Sequence, residues 1–209
     1  MNTTYNRIAG QGLERISALS DGLFSIAMTL LVFDIRVPAL AVVHNEQDLI
    51  AALAALGPRF LMYLMSFLTL GIFWVGSQTQ ISYFARSDRN LAWIHILFLA
   101  AIAIMPFSTS LLAEFITFRT ALLIYWGNIL LIGIVIYWSW IYAERAGLLK
   151  KEATEAVSKA VIRRIYIGQA LYALGAALCI FNTYWSIGFI VLVQLNYAIA
   201  PRIGFLERL

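Results

Sequence analysis

The chain of 209 residues is 62% hydrophobic and only 12% charged, with a formal net charge of +4. Soluble domains carry about 25% charged residues, so this apolar surplus exceeds what one aqueous core buries, and the sequence reads as an integral membrane protein. The small positive balance does not point to a nucleic-acid partner, because the basic residues gather at the ends of apolar segments, where membrane proteins carry them in their cytoplasmic loops.

Taken in chain order, the sequence predicts an all-α membrane domain over 1–209 with six spanning helices. The first covers 15–35. It follows a polar start with no signal-peptide cleavage context, so it is expected to stay in the mature protein. The second covers 58–84, with 51–56 as a helical lead-in. The third covers 91–115 and contains Pro106, a candidate break. The fourth covers 121–143. The charged stretch 144–159 then carries Ala153, Val157 and Val161 at i, i+4 spacing, and reads as an extension of the bundle. The fifth and sixth spans, 162–181 and 185–200, are joined by Asn182, Thr183 and Tyr184.

With a cytoplasmic N-terminus, twelve of the 15 basic residues fall in inside segments, among them Arg7, Arg15, Arg86, Arg89, Arg163, Arg164, Arg202 and Arg208. Only Arg36, Arg59 and Arg119 fall outside. This asymmetry predicts both termini in the cytoplasm. Trp126, Trp138, Trp140 and Trp185 lie near span ends and are expected in an interfacial aromatic belt.

The first span is unusual. Its uninterrupted apolar run, 22–33, is too short to face lipid alone, and it is bounded by Arg15, Ser20 and Asp21 at one end and Asp34 at the other. On a 3.6-residue helix, Ala18, Gly22, Ser25 and Thr29 line one face, with Ile26, Leu30 and Phe33 beside it. Periodicity leaves two readings open: small residues that let helices approach closely, or a stripe that lines a path. Ser20 and Asp21 fit either a helix-start cap or a bracing site. The remaining polar residues inside spans are sparse. Gln78, His95, Gln169 and Asn196 fall, with Asp21, toward the cytoplasmic half, where they are candidates for one buried network.

Catalytic chemistry is not visible. His44 and His95 fall on opposite predicted sides of the membrane and have no metal-ligand spacing with Cys, Asp or Glu. Asp21 and Asp34 are about 20 Å apart along a helix rising 1.5 Å per residue, too far to share an acid–base step. The single cysteine, Cys179, excludes a disulfide within the chain. The sequence therefore predicts no enzyme, metal or cofactor.

Arg15-Ile16-Ser17-Ala18-Leu19-Ser20-Asp21 resembles the RxxxFSD signature of the transmembrane-protein-175 family of potassium channels, with Leu19 at the usual Phe. The similarity continues through Gly22 to Asp34, Phe73-Trp74, Trp93-Ile94-His95 and Met105-Pro106-Phe107-Ser108-Thr109. Where bacterial relatives carry His shortly after the second-span Trp, this chain has Ser77. The resemblance implies a homotetramer in the bacterial plasma membrane, six helices per subunit, and a potassium pore lined by the first helix with no TVGYG filter. Carried over onto this sequence, it puts the hydrophobic constriction at Ile26, Leu30 and Phe33 and the pore hydroxyls at Ser25 and Thr29. Asp34 would stand at the outer mouth. Arg15, Ser20, Asp21 and His95 would brace the cytoplasmic ends. The partners implied are further copies of the chain and the lipid bilayer. The competing expectation is a proton- or cation-coupled secondary transporter with Asp21 and His95 as its relay.

Overall fold

The structure, a computed structural model, describes residue 10, residues 12–39 and residues 43–199. Arg7, Arg202, Arg208 and the end of the sixth predicted span at residue 200 lie outside the described residues. The described chain is helical: α1 (Leu13–Leu30) with a 3₁₀ turn (Leu31–Asp34), α2 (Glu46–Ala55), α3 (Gly57–Tyr83), α4 (Arg89–Ala103), α5 (Met105–Glu114), α6 (Arg119–Arg145), α7 (Glu155–Ala177) with a 3₁₀ turn (Leu178–Ile180), and α8 (Thr183–Ile199). Among the described residues, four segments are long and apolar enough to cross a membrane: Leu13–Asp34, Gly57–Tyr83, Arg89–Glu114 and Arg119–Arg145. α8 is a shorter apolar helix. α7 begins in the charged stretch Glu155 to Lys159, whose ends form an i, i+4 ion pair.

Local chemistry sets several boundaries. Asn45, Asp88 and Thr154 each accept a backbone N–H at the start of α2, α4 and α7, satisfying donors that the first helical turn leaves open. Between α4 and α5 the helix breaks at Ile104, with Pro106 in the first turn of α5. Proline has no N–H to give and crowds the preceding turn. α6 stops where Gly147 takes a φ of +64°, the left-handed conformation that ends many helices.

The stretch 144–159 packs onto the bundle as an extension of it, and not as one unbroken helix. Between α6 and α7 it makes a turn bonded to the α3–α4 link: Ala85 N–H donates to Leu148 O and Lys150 N–H to Tyr83 O, both at 2.8 Å. The recurrent Ala153, Val157 and Val161 pack on a small core of Ile81, Phe84, Leu91, Trp140, Ala143 and Leu148. Trp140 is therefore no belt residue. It is fully buried, and its indole N–H donates to Ser158 Oγ at 3.0 Å. Trp138 and Trp185 are exposed.

The main core joins α1 and α3–α8. α1 packs on α3, α4 and α5, while α6, α7 and α8 complete the bundle away from it. A buried polar cluster sits on that far side. Gln194 donates to Thr69 at 2.6 Å, Thr69 and Tyr125 share a hydrogen bond at 3.1 Å, and Thr109 donates to Ser66 at 2.7 Å. These are interhelical contacts of the kind that bind membrane helices together.

Gly175 sets the approach of α7 to α8. A Cβ there would stand 2.8 Å from Ile190 Cγ1 and 3.1 Å from Phe189 Cδ1, and Ser186 donates to the Gly175 carbonyl across the same gap. Gly175→Ala is expected to cost about 1–3 kcal/mol by overpacking, read as a lower melting temperature in detergent. An unchanged melting temperature would show that the two helices are not in tight contact.

Candidate functional site

α1 has two faces with opposite fates. Ser20, Phe24, Ala27 and Leu31, spaced 4, 3 and 4, are buried against the rest of the subunit. Ala18, Gly22, Ser25, Ile26, Thr29, Leu30 and Phe33 are all exposed. Ile26 is 58% and Phe33 73% exposed. The residues singled out from periodicity thus stand together on the side of α1 that its own subunit does not cover. The 3₁₀ turn over Leu31–Asp34 carries Phe33 on that side and Leu31 into the core.

The Thr29 hydroxyl lies between the carbonyls of Ser25 at 3.0 Å and Ile26 at 2.9 Å. A hydroxyl has one proton to donate and two lone pairs. With the proton directed at the backbone, the oxygen presents only acceptor character outward. The uncovered face therefore combines bulky apolar side chains with an oxygen able to receive a cation but not an anion.

α1 and the 3₁₀ turn after it are held to their own subunit by hydrogen bonds at two points. Midway along α1, Asp21 Oδ1 accepts from Trp74 Nε1 at 2.8 Å and from Gln78 Nε2 at 2.6 Å. Gln78 Oε1 in turn accepts from Ser17 Oγ at 3.3 Å. Ser17 and Asp21 are one turn apart on α1, and Trp74 and Gln78 one turn apart on α3, so two antiparallel helices meet through matched i, i+4 pairs.

This arrangement differs from the bracing set read from the sequence. Asp21 is brought to α3, not to Arg15 or His95. Arg15 is exposed, and no ion pair joins it to Asp21 among the described residues. Ser20 is buried, its hydroxyl without a hydrogen-bond partner among the described residues. His95 is buried against Phe98, ring centroids 5.5 Å apart, and its Nε2 is likewise unpartnered. His95 shares a small cavity with Ser77, whose hydroxyl is turned onto the Trp74 carbonyl at 2.9 Å. Of the wider cytoplasmic network, the Asp21–Gln78 contact forms, while His95 and Gln169 are turned elsewhere. Gln169 reaches the Ile129 carbonyl of α6 at 3.4 Å, away from Asp21.

At the second point, Asp34 Oδ2 accepts from Ser110 Oγ of α5 at 2.5 Å. The Asp34 carbonyl accepts from Arg59 of α3 at 3.3 Å, and Arg59 pairs with Glu114 at 2.6 Å. Asp34 is half-buried, tied to its own subunit through one carboxylate oxygen. Sequence reasoning grouped Gln78 with Asp21 but did not find the roles of Trp74, Arg59 and Ser110. Trp74 and Gln78 did carry a signal, an indole and an amide four residues apart on one face of a span. Arg59 and Ser110 carried none.

The described residues contain no group of His, Cys, Asp and Glu able to hold a metal ion. What they do contain is a helical segment, tied to its own subunit at Asp21 and Asp34, offering an apolar and hydroxyl-bearing face between those two points.

Comparison with known proteins agrees with this picture. The sequence profile of a family described as the endosomal/lysosomal potassium channel TMEM175 matches residues 15–106. A potassium channel of Chamaesiphon minutus is 33% identical over 189 residues, 88% of this chain and 93% of that protein. A potassium channel of Streptomyces collinus is 42% identical over 102 residues, 49% of this chain and 48% of that one. Among solved structures, the crystal structure of a lysosomal potassium-selective channel TMEM175 homolog from Chamaesiphon minutus superposes with a TM-score of 0.76 at 30% identity, covering 90% of this chain and 97% of that chain.

Proposed function

This chain belongs to the TMEM175 family of channels, and from that premise we propose that it is a potassium-preferring cation channel, a homotetramer of the bacterial inner membrane with six crossings per subunit and both termini cytoplasmic. The observation that carries the reading is the uncovered face of α1 and its 3₁₀ turn: Ser25, Ile26, Thr29, Leu30 and Phe33 are exposed between two residues, Asp21 and Asp34, that are bonded to their own subunit. One helix cannot enclose a path, so copies of α1 from several subunits must surround it.

In that arrangement Ile26, Leu30 and Phe33 form apolar rings. A narrow apolar ring gives water no hydrogen-bond partner and stops ions by dewetting. The Ser25 and Thr29 hydroxyl oxygens, arranged as rings between them, partly replace the hydration shell of a cation, as filter carbonyls do elsewhere. Potassium is the permeant ion, and no cofactor takes part. Asp34 keeps one carboxylate oxygen on Ser110 and offers its charge to cations near the outer mouth. A carrier with Asp21 and His95 as a relay is not favoured, because those two side chains bond to different parts of the subunit.

The test is potassium flux from liposomes holding the purified oligomer, against a sodium-gradient control, for the wild type and for Thr29→Val. Wild-type flux should prefer potassium. Thr29→Val keeps the side-chain shape and removes the oxygen, and should cut that preference by roughly two- to tenfold, the size of one net hydrogen bond of about 0.5–1.5 kcal/mol. No flux from an intact oligomer would refute the channel. Flux with an unaltered preference would remove Thr29 from the pore.

A further inference from the structure

On the side of α3 away from α1 lies a cleft enclosing about 690 Å³, its open mouth included. α3 turns Trp74 and Gln78 toward α1, and presents Ile72, Gly76 and Thr79 to the cleft from the opposite face of the helix. The remaining walls come from α6, α7 and α8. The lining is mostly apolar, with Phe73, Ile136 and Ile165 along it. It stays open because Gly76 and Gly168 carry no side chains: a Cβ at Gly76 would meet only Ile136 at 3.9 Å, and one at Gly168 only the Tyr197 hydroxyl at 3.7 Å.

The mouth is charged. Arg164, at the basic end of α7, is exposed there, its guanidinium 5.7 Å from the centroid of the Tyr197 ring. No carboxylate pairs with it among the described residues, and none lines the cleft. On the inner wall Gln169 Oε1 is buried without a hydrogen-bond partner among the described residues. An apolar slot between helices, lined by one exposed cation with no carboxylate beside it, is complementary to an anionic amphiphile, whose headgroup hydroxyls could also serve the orphan Gln169 oxygen. Basic pockets between membrane helices bind anionic lipid headgroups in this way, and ligand sites are typically apolar with a few placed polar groups.

We propose that this cleft binds one anionic phospholipid of the surrounding bilayer, its phosphate on Arg164 and an acyl chain along Ile72, Phe73, Ile136 and Ile165. The site is separate from the α1 face, and its occupancy is read without reference to ion flux.

The experiment is native mass spectrometry of the full-length purified protein, delipidated and then offered phosphatidylglycerol, phosphatidylcholine or oleate. The wild type should retain phosphatidylglycerol over phosphatidylcholine. Arg164→Gln should reduce that retention about fivefold, the contribution of one basic residue near a membrane surface. Gly76→Leu fills the slot where no neighbour blocks it, and should abolish retention while leaving the melting temperature as high as wild type or higher. Equal retention of the two phospholipids by the wild type, or phosphatidylglycerol retention unchanged in both variants, overturns the proposal. Retention of oleate but not of phosphatidylglycerol overturns it too, since the occupant would then be a free acid.

Discussion

Ile26→Asn should raise potassium flux by about tenfold or more, a barrier change of about 1.4 kcal/mol per factor of ten. Ile26 is 58% exposed and packs into no part of its own subunit core, so the substitution leaves the fold of the monomer intact. What changes, in the proposed assembly, is the surface that would face the pore axis. Burying or exposing one side chain of this size to water is worth about 1.5–3 kcal/mol, and a symmetric ring applies the change in every subunit. An amide in place of the sec-butyl group gives water hydrogen-bond partners at the constriction and lowers the cost of wetting it. The measurement is single-channel conductance and open probability, with liposome flux alongside. Leu31→Asn is the contrasting variant: Leu31, five residues on at the start of the 3₁₀ turn, is fully buried, so its loss should appear as instability. Unchanged conductance in Ile26→Asn, with the oligomer intact, would make the exposed face a packing surface and not a pore.

The second large effect is expected at Asp21. Its Oδ1 receives two hydrogen bonds from α3, at 2.8 and 2.6 Å, and hydrogen bonds to a charged group contribute about 1.5–3 kcal/mol each when shielded from water. Asp21 is exposed in the subunit, which places the effect at the lower end of that range. Asp21→Ala should lower the melting temperature and shift Trp74 emission to longer wavelength as its indole N–H exchanges Asp21 for water. Asp21→Asn keeps an oxygen acceptor without the charge and should lose less. The Asp21→Ala, Gln78→Ala double-mutant cycle separates the pair from its surroundings. If neither substitution moves the melting temperature or the Trp74 emission, the hydrogen bonds to α3 do not hold α1 at this point.

These two residues mark how far the sequence reads. The face that carries Ile26 was legible because it depends only on the 3.6-residue repeat and the order of side chains along one helix. Of the partners of Asp21, Gln78 was one of several candidates and Trp74 was not legible, because both lie more than 50 residues away and any polar side chain on a neighbouring helix could have filled that place. Ser110 and Asp34, 76 residues apart, are the same case at the 3₁₀ turn. His95 shows the opposite error. Its placement in the predicted cytoplasmic half suggested a role beside Asp21, but it is buried beside Phe98 of its own helix and in a small cavity with Ser77. Trp140 was read as a belt residue from its position near a span end, and it is buried because α7 folds back over it.

Composition alone established a membrane protein, because 12% charge over 209 residues leaves no aqueous core large enough for the apolar remainder. Charge placement, the helical repeat of 18–33 and the signature around Ser20-Asp21 were likewise properties of the chain itself. Which apolar face meets protein and which stays uncovered was decided only by the tertiary structure. In a bilayer both faces are apolar, since lipid and protein interiors are equally oily, and hydropathy carries no mark that separates Leu31 in the core from Leu30 beside it, uncovered.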